Sequence, residues 1–198
     1  MTYDILTALV LFALVSSITP GPNNMMLLAS GANFGFRRTI PHMLGISIGH
    51  MIMVILVGIG LMQVFDLYPV SHTILKVASV GYLLYLAWKI ANAAAPDTND
   101  SKAKPFSFLQ AALFQWVNPK AWSMALTAIT LYAPDRSLIG VASVAFIFAM
   151  TNFPSITTWT VLGTKIRHLL SNPLRLRAFN VTMAVLLVVS LYPVLYSL

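Results

Sequence analysis

Of 198 residues, 58% are hydrophobic and only 9% charged, with a mean hydropathy of +0.81. Soluble domains carry roughly 25% charged residues, so too little polar material is present to coat a free-standing globule. The formal charge of +7 comes from 12 Lys and Arg against 5 acidic residues, all Asp. The basic residues are not interleaved with stacking aromatics, so no nucleic-acid partner is expected.

In chain order, apolar runs long enough to cross ~30 Å of hydrocarbon as helices fall at roughly 4–34, 40–63, 70–94, 106–133, 138–164 and 178–197. The expected fold is therefore an all-α membrane protein of six transmembrane helices in one domain, 1–198. Asp4 is the only charge before Arg37, so no positive region marks a cleavable signal. The most polar stretch, 96–105, holds two prolines, Asn, Asp and Ser, and reads as a solvated linker between halves 1–95 and 106–198.

Orientation follows from the placement of Lys and Arg. Arg37, Arg38, Lys89, Lys102, Lys104, Lys165, Arg167, Arg175 and Arg177 fall on one side; Lys76 and Arg136 fall on the other. Both termini are expected outside, with the linker in the cytoplasm. Three crossings per half make the second half enter from the opposite face, the arrangement of an inverted repeat.

The first and fourth segments are interrupted, by Thr19-Pro20-Gly21-Pro22-Asn23-Asn24 and by Asn118-Pro119-Lys120. Pro22 and Pro119 lie 97 residues apart, about half the chain. Irregular backbone at membrane depth is tolerated only inside protein or beside a water-filled cavity. Paired interruptions in two halves mark the binding site of a repeat-built transporter. Proline donates no hydrogen bond and clashes with the carbonyl four residues back, so Pro20, Pro22 and Pro119 should free the carbonyls of Ser16, Ile18 and Gln115.

The helix piece beyond each break starts with exposed N–H groups and a partial positive charge, which suits a carboxylate. The candidate substrate contacts are Pro20, Gly21, Pro22, Asn23, Asn24, Asn118, Pro119 and Lys120. Lys120 lies deep in its segment, where a charge usually faces a cavity; the alternative is snorkelling to the headgroups. His50 is a candidate proton carrier or a helix-to-helix hydrogen-bonding residue. Asn152 and Pro154 are candidate cavity-lining residues or parts of a plain kink. Gly45 and Gly49 have the spacing of a close helix crossing, and small-residue faces of this kind also suit a homodimer.

These residues resemble the LysE/RhtB family of bacterial amino-acid exporters. The resemblance covers nearly the whole chain. It runs from Thr19-Pro20-Gly21-Pro22-Asn23 through Gly31, Gly35, Arg37, Gly45, Gly49, Gly58 and Gly60. It continues with Leu75-Lys76, Gly81–Lys89 and Asn118-Pro119-Lys120. The stretches around Pro20–Asn24 and Tyr85–Ile90 are most similar to the subgroup that exports cysteine and O-acetylserine. The resemblance implies a multi-pass protein of the bacterial inner membrane that exports small amino acids or derivatives, driven by protons. Many members carry Asp where this chain has His50.

Two other classes compete. Distant relatives of the family move divalent cations, but His42, His50, His72 and His168 are scattered, no carboxylate is buried in a segment, and Cys is absent. Gly45-Ile46-Ser47-Ile48-Gly49 fits the G-x-S-x-G string of an intramembrane serine protease, yet no acidic residue accompanies His50 to orient it. No metal or cofactor is expected, and the expected partners are a small amino-acid substrate and the bilayer.

Overall fold

A computed structural model of the chain describes residues 1–61, 63, 67–68, 70–93, 104–190 and 192. The linker read at 96–105 lies outside the described residues except for Lys104 and Pro105. Among the described residues every regular element is helical: α1 Tyr3–Ile18, α2 Pro22–Phe34, α3 Phe36–Gly58, α4 Val70–Ala91, α5 Phe108–Val117, α6 Pro119–Tyr132, α7 Leu138–Ile166 and α8 Pro173–Val189. A 3-10 turn, Arg167–Leu170, joins α7 to α8. The last helix starts at Pro173, ahead of the apolar run read from 178, because Asn172 caps it through Leu174 N–H and Pro173 fits its first turn.

By length and composition, α3, α4 and α7 are each able to span a membrane. α1 and α2 make a fourth span when taken together, bent by 57° at their break. Large apolar side chains such as Leu11, Val15, Ile52, Val77, Phe146, Met150 and Val189 are exposed on the outer faces, the surface that lipid would cover.

α7 is the central post. It packs along α2, α3 and α1, while α3 also packs on α5 and α6, and α4 pairs with α8. Glycines set these distances. A Cβ at Gly163 would meet the Leu28 carbonyl oxygen at 2.2 Å, and one at Gly31 the Thr160 carbonyl oxygen at 2.4 Å. α2 and α7 therefore touch backbone to backbone. Gly45 and Gly49 do the same for α3 against α5, where a Cβ would meet Phe108 O at 2.3 Å and Ala112 Cα at 2.7 Å, as their spacing predicts. Gly35 turns α2 into α3 with φ +78, a conformation that favours glycine.

The C-terminal end of α2 is tied by a buried amide pair. Asn33 Nδ2 donates to Asn180 Oδ1 at 2.7 Å and Asn180 Nδ2 returns to Asn33 Oδ1 at 3.0 Å. Apolar residues close around this frame, with Leu27, Met43, Ile46, Ala111 and Ile156 forming a cluster where α2, α3, α5 and α7 meet.

Candidate functional site: two helix breaks around one cavity

α1 ends at Ile18, Thr19 is extended, and Gly21 (φ −172, ψ 178) precedes Pro22 at the start of α2. The carbonyls expected to be free are met by side chains of the chain itself. Thr19 Oγ1 donates to Ser16 O at 2.9 Å and Trp159 Nε1 to Ile18 O at 3.1 Å. Asn24 Nδ2 donates to Ser17 O at 2.9 Å and to Thr19 O at 2.7 Å. Lys120 Nζ donates to Thr19 O at 2.6 Å and Thr19 Oγ1 at 2.9 Å. The other side of the break is open. Gly21 supplies no side-chain cap and Pro22 has no N–H, so the amides of Asn23 and Asn24 begin a 13-residue helix with no acceptor among the described residues.

The second break is closed. Asn118 caps α6 by accepting from Lys120 N–H at 3.1 Å, and its own N–H reaches the Gln115 carbonyl at 3.3 Å. That carbonyl, expected to be freed by Pro119, is thus satisfied within its own chain segment. Gln115 then joins the two breaks: Asn23 Nδ2 donates to Gln115 Oε1 at 2.9 Å and Gln115 Nε2 to Asn23 Oδ1 at 3.2 Å. Gln115 Nε2 also donates to Ala111 O at 2.9 Å, which fixes the amide's orientation.

Between the breaks lies a cavity of about 30 Å³, room for a water or two. It brings together Gly21, Asn23, Asn24, His50, Asn118, Lys120 and Asn152 from the sequence expectations. Pro20, Pro22, Pro119 and Pro154 do not line it; Pro20 and Pro154 face outward, consistent with prolines shaping the backbone rather than touching a solute. Sequence reasoning missed Ser16, Ser17, Gln115 and Met124, which complete the lining with Ile46, Ala121 and Ile156. The signal for Ser16, Ser17 and Gln115 was available: each is a polar residue within one turn of a break.

Lys120 is the one charged side chain among the lining residues. Ser17 Oγ and His50 Nε2 are buried in the wall with no hydrogen-bond partner, so each has capacity for a solute or water. The His50 ring rests on Phe148, centroids 4.9 Å apart. His50 Nε2 has no bond to Ser47, so the serine-hydrolase string does not assemble through it. Among the described residues no three His, Asp or Glu side chains gather. His42, away from the cavity, packs edge-on against Phe106 at 5.1 Å, and Lys89 Nζ stands 4.4 Å from the centre of the same ring.

A polar cavity between helices whose outer faces are apolar offers donors and acceptors to a solute. The match to the LysE type translocator and the similarity to efflux proteins make this chain a transporter rather than an enzyme. It belongs to the LysE family, matching the LysE type translocator over residues 14–195. It is 33% identical over 195 residues to the cysteine/O-acetylserine efflux protein of Escherichia coli (strain K12), covering 95% of this chain and 96% of that protein. The counterpart in Shigella sonnei (strain Ss046) matches equally, and that of Escherichia coli O139:H28 (strain E24377A / ETEC) is 32% identical over the same length. No solved structure matches the chain.

Proposed function

We propose that the protein exports a small amino acid or amino-acid derivative from the cytoplasm across the bacterial inner membrane by alternating access. The observation that carries this reading is the uncapped start of α2 beside the carbonyl-rich end of α1. One end presents N–H groups to an anion and the other presents carbonyl oxygens to a cation, with only Pro20, Gly21 and Pro22 between Thr19 and Asn23. A zwitterion with its charges on one carbon fits that pairing. The names of the similar efflux proteins support cysteine and O-acetylserine as first substrates to try.

In this reading the carboxylate sits on the amides of Asn23 and Asn24, flanked by Asn118 and Asn152, with Lys120 setting the positive potential. The present cavity is too small for an amino acid, so loading requires the halves to part. Helix pairing supports two inverted halves and six crossings. Exchanging the halves maps α1/α2 onto α5/α6, α3 onto α7 and α4 onto α8. The α3–α7 and α4–α8 contacts map onto themselves, and α1–α7 maps onto α3–α5. Termini outside and a cytoplasmic linker follow from the basic residues. A homodimer would have to use a face such as that of Gly81, since Gly31, Gly45, Gly49 and Gly163 are consumed inside the bundle. His50, a lining residue whose buried Nε2 has no hydrogen-bond partner, is the proton carrier of this scheme.

The test is counterflow in proteoliposomes with radiolabelled cysteine, O-acetylserine and other small amino acids. Compounds with both a free amine and a carboxylate should exchange at least ten-fold faster than their N-acylated or decarboxylated analogues. Equal rates for the analogues would sink the zwitterion reading. His50→Gln should abolish acceleration by an imposed proton gradient while leaving exchange measurable.

A further inference from the structure

Lys120 presents its ammonium to the end of a helix rather than to an acid. Its two acceptors, Thr19 O at 2.6 Å and Thr19 Oγ1 at 2.9 Å, lie 101 residues away in sequence and across the two breaks. The C-terminus of a helix carries about half a unit of negative charge, which favours a cation there. The Lys120 stem reaches it only because Gly21 has no side chain: a Cβ at Gly21 would meet Lys120 Cδ at 2.8 Å and Nζ at 3.2 Å. No carboxylate lines the cavity, so the end of α1 is where this charge is accommodated.

We infer that the Lys120 ammonium stands in for the substrate's own ammonium in the empty carrier, and that the Thr19 carbonyl and hydroxyl form the cation subsite. This rests on the zwitterion reading above and deepens it. Both groups are primary ammonium ions with three donors, so they compete for the same oxygens. An arriving amino acid sets its carboxylate on the amides of Asn23 and Asn24, and its ammonium takes Thr19. Lys120 is displaced and its charge faces the bound carboxylate. After release, Lys120 returns and again bridges α6 to α1. The carrier is then neutralised at the same subsite whether loaded or empty, and it can reorient without a ligand. Net export needs that empty return; exchange does not.

The experiment compares exchange with net efflux in the same proteoliposomes, for wild type, Lys120→Ala and Gly21→Ala. Lys120→Ala should slow exchange by a few-fold, through loss of the counter-charge, and slow net efflux by at least 50-fold. Millimolar ethylammonium should restore net efflux of Lys120→Ala at least five-fold and give wild type no such gain. Gly21→Ala keeps the lysine but obstructs its stem, so it should slow net efflux about ten-fold, with exchange less affected and no rescue. If the variants lose both modes equally and ethylammonium restores nothing, the stand-in role is wrong while the zwitterion reading survives. If wild type moves no amino acid in either mode, the reading beneath it falls as well.

Discussion

The two helix breaks look alike in sequence and differ in structure. Each puts a proline at the first position of a half-helix, but Gly21 precedes one and Asn118 the other. Asn118 spends its side chain on the Lys120 N–H, so α6 is capped from within. Gly21 has no side chain to spend, so α2 keeps its amides for something else. The half-helix with the open end is also the one clamped backbone to backbone on α7. The first break thus leaves an uncapped half-helix on a rigid element, where the proposed reading seats the substrate's carboxylate, and the second places Lys120 opposite it. Matching breaks do not imply matching duties; the residue before the proline separates them.

That comparison can be broken first at its clamp. Gly163→Ala puts a methyl 2.2 Å from the Leu28 carbonyl oxygen, and backbone on a packed helix cannot yield as a side chain can. Destabilisation of about 3 kcal/mol or more, at the top of the overpacking range, should appear as loss of monodisperse protein in detergent. Gly81→Ala, in open space, is the control that should behave as wild type. An unharmed Gly163→Ala would mean α2 is not held rigidly.

Next in size is the difference in function between the breaks. Gly21→Ala should reduce net efflux about ten-fold or more, a loss of about 1.4 kcal/mol, with yield and melting temperature little changed, because its clash is with a movable lysine stem. In a Lys120→Ala background the same change should add nothing. Additive losses would show that Gly21 acts by some route other than the lysine.

Gln115→Leu tests the link between the breaks. It leaves the half-buried Asn23 amide without its partner, which should lower stability by about 1 kcal/mol in a thermal melt. Asn118→Ala sharpens the comparison most gently. Removing a helix cap costs about 1 kcal/mol, so a drop of a few degrees is expected, with substrate exchange still measurable. Collapse of exchange in Asn118→Ala would place the second break in direct contact with the solute.

Much of the frame was legible from residue order. The apolar runs, the two breaks and the close crossing at Gly45 and Gly49 depend on periodicity and on residue size, which are local properties. Cap identity was equally local, and the contrast between Gly21 and Asn118 was there to be read. Proline chemistry alone makes both breaks open ends with freed carbonyls, because it says which bonds are lost and not which groups replace them. Some replacements are local, Thr19 for Ser16 and Asn118 for Gln115, and others come from afar, Trp159 for Ile18 and Lys120 for Thr19. Asn180, which ties down α2 from 147 residues away, carried no signal at all.

Residue order by itself determined a helical membrane chain, where its helices must break, and which ends of those breaks attract opposite charges. Short-range sterics and hydrogen bonding suffice for that. Only the tertiary structure decided that Asn23, Asn24, Asn118 and Lys120 from the two breaks line one cavity, and that the Lys120 ammonium meets Thr19 at the end of α1. Hydrogen-bond partners at a break are chosen by which helices pack within about 3 Å of it, and packing is a property of the whole bundle.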